Sequence, residues 1–297
     1  MPGARAATFT VTNTNNSGTG SLRQAILEAN SVLPPEAVFI HFNIIGMFVF
    51  PIINPSSPLP NILRPVTIDG TTQPTSNNRV AIQGINAGAN ADGLHFGPNS
   101  DGSVVRGLVI NSWSDDGIEL EQSDGTVVAR NWIGVDFALG MVDLGNGAAG
   151  VHVNNSSHTS IGGLTAADRN VISGNNGNGV WIINGSTGTH VIGNYIGIGA
   201  DGATAVRNTN TGVLIAACSD NYVGGPTVGE RNIISGNGNG VTVLGANARN
   251  NVIQGNWIGT SANGSADLGN VVDGVRIESA QNTLIGGDAS FEGNPPG

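Results

Sequence analysis

Residues 169–257 read RNVISGNNGNGVWIINGSTGTHVIGNYIGIGADGATAVRNTNTGVLIAACSDNYVGGPTVGERNIISGNGNGVTVLGANARNNVIQGNW. The stretch nearly duplicates itself. Arg169-Asn170-Val171-Ile172-Ser173-Gly174-Asn175 returns 62 positions later as Arg231-Asn232-Ile233-Ile234-Ser235-Gly236-Asn237. Gly193-Asn194-Tyr195-Ile196-Gly197 returns at the same interval as Gly255-Asn256-Trp257-Ile258-Gly259. Self-similarity at a fixed period marks a repeat architecture, in which each unit buries its apolar face only against its neighbours.

Working outward, one strand pattern recurs: glycine, apolar, variable, apolar. It begins at Gly93, Gly117, Gly150, Gly179, Gly212, Gly240 and Gly274, at intervals of 24, 33, 29, 33, 28 and 34 residues. Alternate residues of a strand share a face, so the apolar pair points inward and the variable residue outward. The alternating intervals make two coil types per 62-residue unit. One coil type carries its insertion before Asn170, Asn232 and Asn294, the other around Asn146, Asn208 and Asn270. The insertions emerge at two different corners of the stack.

Composition agrees. The chain has 297 residues, 46 of them Gly, 5% aromatic and only 11% charged. Short strands and tight turns suit such a chain better than helices. The net charge is −10 and all eleven basic residues are Arg. A basic footprint for nucleic acid is therefore absent. The single cysteine, Cys218, excludes an internal disulfide, and no apolar run is long enough for a membrane span.

Near the N-terminus, residues 8–14 alternate like a strand. Ser21 then caps a predicted amphipathic helix over residues 21–30, with Leu22, Ala25, Ile26 and Ala29 on one face. Residues 1–64 are expected to cap the open end of the stack, with strands at 38–42 and 48–53 between the prolines. Residues 65–297 are expected to form the regular body, continuous with the cap, of about seven coils. Ala4-Arg5-Ala6-Ala7 has the look of a signal-peptide cleavage site. Pro295-Pro296-Gly297 stands where a further strand is expected, which would leave a C-terminal edge open to self-association.

The repeat GVxIxxxxxTxVxGNxIG over residues 93–294 resembles right-handed parallel β-helix repeat proteins. The opening VTNTNNSGTGSLRQAILEAN and residues 66–74 (VTIDGTTQP) resemble the large secreted or cell-surface bacterial members. The resemblance implies an all-β right-handed parallel β-helix, and a secreted or cell-surface module with scaffold, adhesive or glycan-binding roles. On that fold, Asn131, Asn170, Asn194, Asn232 and Asn256 fall at one corner of successive coils, where stacked amides can bond along the ladder.

Two clusters carry candidate catalytic chemistry. Asp92 and Asp116 hold the same register before the strand glycine and should stack about 5 Å apart, with Asp115 beside them. Close carboxylates drive their proton affinities apart and let an acid and a base coexist, as glycosidases require. Asn90-Ala91-Asp92 followed by Asp115-Asp116 is similar to part of the polygalacturonase-type hydrolase pattern. That family's Gly-His-Gly coil is replaced here by Ala148-Ala149-Gly150, and its Arg-Ile-Lys lacks a lysine. The alternative is that both aspartates are turn residues, as Asn178 and Asn239 are at that register. The second cluster, Glu119, Glu121 and His152, is an acid/base set or half a metal site, or a solvated cross-strand pair.

Trp132, Tyr195 and Trp257 recur in alternate coils, about 10 Å apart, and together with Trp181 are the candidate sugar-stacking residues. The alternative is that the insertions cover the first three. No cofactor is implied. Isolated Asp136, Asp143, Asp201 and Asp267 are a sparse signal for Ca2+. The expected partner is a polysaccharide or cell-surface glycan. A hydrolase acting on glycosidic bonds and a self-assembling surface subunit are the alternatives.

Overall fold

The computed structural model describes residues 6–34, 36–46, 50–74 and 79–287. It is a parallel β-solenoid of about nine turns. Three parallel sheets, of ten, eight and seven strands, form its walls. In each turn the chain crosses the ten-stranded, then the eight-stranded, then the seven-stranded sheet. The seven-stranded wall, from Leu94–Phe96 to Val275–Glu278, is the recurring glycine-led pattern. The turn count exceeds seven because the cap region itself forms coils. Ala6–Val11 and Ala37–Phe42 start the ten-stranded sheet, and Ile52–Ile53 heads the eight-stranded one. The prolines of that region interrupt its pairing without excluding it from the stack.

The helix spans Leu22–Ser31, and Ser21 caps it by accepting the Gln24 N–H at 3.2 Å. Its buried residues are Leu22, Ala25, Ile26 and Ala29. They join one apolar core that runs down the solenoid through Ile40, Ile68, Val105, Ile133, Val153, Ile182 and Val243.

The pattern glycine is required by close approach. A Cβ on Gly117 would sit 2.6 Å from the Gly150 carbonyl oxygen and 2.7 Å from Ile133 Cγ2. Equivalent clashes recur at Gly93, Gly150, Gly179, Gly212 and Gly240.

Polar ladders hold the corners. Between the ten- and eight-stranded sheets, Asn170, Asn194 and Asn232 each donate Nδ2 to the next asparagine's Oδ1, at 2.9, 3.1 and 2.8 Å, ending on Asn256. Asn131 joins through its backbone N–H, 2.9 Å from Asn170 Oδ1. A second ladder, Asn146–Asn175–Asn208–Asn237–Asn270, runs between the eight- and seven-stranded sheets at 2.9–3.2 Å. The third corner stacks Ser100, Ser123, Ser156 and Ser186, then Asn221 and Asn251. These buried amides and hydroxyls satisfy the backbone groups that each bend leaves unpaired.

The insertions emerge at the two expected corners and stack on one another. Ala200 donates its N–H to the Gly140 carbonyl and Ala262 to that of Gly202, at 2.9 and 2.8 Å. The proposed cleavage-like stretch from Ala4 and the terminal Asn294 to Gly297 lie wholly or partly outside the described residues, as does part of the expected strand at 48–53.

Candidate functional site

The outward positions of the seven-stranded sheet form a single row. His95 pairs in register with Glu119, Glu119 with His152, His152 with Trp181, Trp181 with Leu214, Leu214 with Thr242, and Thr242 with Arg276. The acidic coils converge at one end of this row.

Asp92 and Asp116 each use their two carboxylate oxygens differently. Asp92 Oδ1 accepts the Asp116 N–H at 3.0 Å, and Asp116 Oδ1 accepts the Ala149 N–H at 2.6 Å. Asn178 does the same further along, accepting the Thr211 N–H at 3.1 Å. One oxygen is thus a coil-to-coil cap. The second oxygen faces an imidazole. Asp92 Oδ2 lies 3.3 Å from His95 Nδ1, and Asp116 Oδ2 lies 2.7 Å from His152 Nδ1. Asp92, Asp115 and Asp116 each bring a carboxylate oxygen within 4.8 Å of the others.

His95, absent from the sequence-derived set, is the hub. Its Nδ1 lies 3.1 Å from Glu119 Oε2 and its Nε2 lies 3.1 Å from Glu121 Oε2. Burial disfavours its charge, but the hydrogen bonds to Asp92 and Glu119 outweigh that and raise its pKa to about 10. The bond to His95 in turn holds Glu119 down to about 2, against its own desolvation. Burial raises Asp92, and raises Asp115 with help from the Asp92 charge. His152 is desolvated, yet the Asp116 carboxylate keeps its pKa raised. Neighbouring carboxylates are therefore pushed in opposite directions, as acid/base chemistry requires.

His152 is buried. Its ring lies flat on Trp181, with centroids 4.5 Å apart and planes at 8°. Asn154 Nδ2 donates to Glu119 Oε1 at 3.3 Å and fixes that carboxylate from below. Beyond Trp181 the row opens into a groove of about 540 Å³, lined by Leu214, Thr242 and Arg276 of the row and by Asn178, Thr211 and Asn239. Asn239 Oδ1 and Thr242 Oγ1 are buried there without a hydrogen-bond partner.

Ligand atoms of two further trios, Asp92–His95–Glu119 and Asp116–Glu119–His152, also fall within 4.8 Å of one another. Metal ligation needs a neutral imidazole, which the raised pKa of His95 opposes at neutral pH. Among the described residues, Asp92, Asp115 and Asp116 form the one trio of oxygen donors alone, the donor type of Ca2+. The loop aspartates are engaged elsewhere. Asp136 accepts four backbone N–H groups, from Ala138, Leu139, Met141 and Val142. Asp201, Asp143 and Asp267 cap their own turns.

Trp132, Tyr195 and Trp257 lie on a different wall, the eight-stranded sheet, each half-buried. A guanidinium covers each ring: Arg79 over Trp132 at 4.4 Å, Arg169 over Tyr195 at 4.1 Å and Arg231 over Trp257 at 4.5 Å. Loop glycines 140, 202 and 264 pack beside the same rings. Both the loops and the arginines take up ring surface that a sugar would need.

No family model matches the chain, and no curated protein matches its sequence.

Proposed function

We propose that the protein is an extracellular or cell-surface β-helix module whose seven-stranded face binds an extended polysaccharide along the solenoid axis. The observation that carries this reading is the groove of about 540 Å³ beyond Trp181, with Asn178, Thr211, Asn239, Thr242 and Arg276 along its wall. That wall offers amide, hydroxyl and guanidinium side chains to the hydroxyls of a sugar chain. Half-buried Trp181, with one face on His152, stands beside Leu214 at the end of the groove, and strand spacing of about 4.8 Å per turn suits a polymer lying across several coils.

The test is a binding screen of the full chain against neutral and acidic polysaccharides. Trp181→Ala and Arg276→Ala should each weaken the best ligand by roughly tenfold, equivalent to about 1.4 kcal/mol. If no polysaccharide binds, or if both variants bind as the parent does, the reading fails.

A second reading is favoured by the carboxylate geometry: hydrolysis of a glycosidic bond at Asp92, Asp115 and Asp116. One carboxyl, its proton affinity raised by burial, would donate a proton to the leaving oxygen. Another would attack the anomeric carbon or deprotonate a water. Oxygens within 4.8 Å lie near the short separation used for direct attack. Release of reducing ends from a bound polysaccharide, abolished in Asp92→Asn and Asp116→Asn, is the expected result. An absence of cleavage across the bound polysaccharides removes this reading and leaves the binding face intact.

A further inference from the structure

The Arg–aromatic pairs repeat every second turn but are not equivalent. Arg79 is largely desolvated, which with the Arg130 charge lowers its pKa to about 10, and its Nη1 donates to the Arg130 carbonyl at 2.6 Å. Arg169 and Arg231 are half-exposed. Each commits only Nε to the protein, donating to Gly193 O and Gly255 O at 3.2 Å. Their terminal nitrogens make no hydrogen bond or ion pair among the described residues. The carboxylates next to them in the chain are turned to their own loops: Asp168 accepts Thr165 Oγ1–H at 2.6 Å, and Glu230 accepts the Thr227 N–H and Oγ1–H at 2.8 and 2.7 Å.

Between these two arginines lies a cavity of about 140 Å³, lined by Arg169, Tyr195, Val228, Arg231, Ile233, Trp257 and Ala262. That volume is well below the several hundred Å³ of a drug-sized pocket, so it takes one small unit. Its walls offer two planar guanidinium forks and two aromatic rings. A guanidinium fork matches the two oxygens of a carboxylate or sulfate, while the two rings, whose faces the guanidiniums cover, bound the cavity and limit it to one such unit.

We infer that the cavity between Arg169 and Arg231 binds an acidic sugar unit, carboxylated or sulfated, as a glycan site separate from the seven-stranded face. The inference does not rest on the reading of that face. Anion binding at this spot runs against the net charge of −10, so contact recognition rather than long-range attraction selects the ligand.

Calorimetry on the full chain tests it with four probes: a trigalacturonate, a heparin-derived tetrasaccharide, maltotetraose and sodium sulfate. At least one acidic oligosaccharide should bind, with maltotetraose at least tenfold weaker. Arg231→Gln should weaken binding tenfold or more. Val228→Glu places a carboxylate at an exposed rim position, 65% accessible, and should abolish binding without disturbing the core. Trp181→Ala should leave it unchanged, which separates this site from the other face. The inference is overturned if neither acidic probe binds, if maltotetraose binds equally and loses that binding in Val228→Glu, if sodium sulfate binds as tightly as the oligosaccharides, or if Val228→Glu has no effect.

Discussion

His152 Nδ1 lies 2.7 Å from Asp116 Oδ2, while the other oxygen of that carboxylate accepts the Ala149 N–H at 2.6 Å. A single side chain thus serves both the architecture and the imidazole. The two roles belong to different oxygens, and they separate by substitution.

Asp116→Asn keeps an oxygen for the Ala149 N–H, as Asn178 does at the same register for Thr211. Its melting temperature should stay within a few degrees of the parent. The His152 pKa, followed by NMR titration, should fall, because the partner that raises it has lost its charge. A large loss of stability with an unchanged His152 titration would contradict the division of roles.

The carboxylate–imidazole cluster sets a pH window. His95 is raised from 6.5 to about 10, so its contribution to stability is complete below 6.5 and is lost as pH rises toward 10. Glu119 is lowered from 4.5 to about 2, so its contribution is complete above 4.5 and is lost as pH falls toward 2. The upward shift of Asp92 is a penalty that sets in above its ordinary 3.8 and grows as pH rises through its raised pKa. Thermal unfolding should show the His95 and Glu119 contributions in full between pH 4.5 and 6.5 and a decline of each outside that window. In His95→Gln the alkaline decline should flatten, and an unchanged profile in that variant would show that His95 does not set it.

The amide ladders are tested at their middle. Asn194 is fully buried. It donates to the Ile161 carbonyl and to Asn232 Oδ1, and accepts from Asn170. Asn194→Ala strands several of these groups, at about 1–3 kcal/mol for each buried one left unpaired. The denaturant midpoint should drop sharply, far more than for Asn184→Ala on the exposed surface.

Glycine has two separable roles. Gly117→Ala forces a methyl against the Gly150 carbonyl and Ile133 and should cost about 1–3 kcal/mol or more through overpacking. Gly185 has φ +78° and nothing within 4 Å of a built Cβ. Gly185→Ala should cost only the left-handed backbone strain, about 1 kcal/mol. Urea unfolding of the two variants should rank them in that order.

The walls and corners of the solenoid are legible because they repeat: a 62-residue period shows which glycines, isoleucines and asparagines build coils. The Pro-rich stretch before residue 65 has no such period, so its strands are legible but their place as further coils of the stack is not. At the site, register alone placed Asp92 next to Asp116 and Glu119 next to His152. It did not reveal His95, although His95 is the variable residue of the first glycine-led strand. Three carboxylates reach that imidazole through side-chain torsions, and a pattern of alternation carries no torsions. The same limit hid the arginines over Trp132, Tyr195 and Trp257. Spacing orders the rings in a line, but the long guanidinium side chains that lie across them come from neighbouring coils and corners.

The two-turn repeat with its stacked corners also makes the protein a ruler whose length can be edited. Joining Arg169 directly to Asn232 would delete one 62-residue block and restore the Arg-Asn-Ile-Ile-Ser-Gly-Asn junction. Each asparagine would then meet an equivalent asparagine from two turns away. A deletion of one turn would instead bring the two coil types out of alternation and set loop against loop. Growth and loss in whole two-turn blocks would change the distance spanned between the ends by roughly 10 Å, while leaving the surface chemistry at either end untouched.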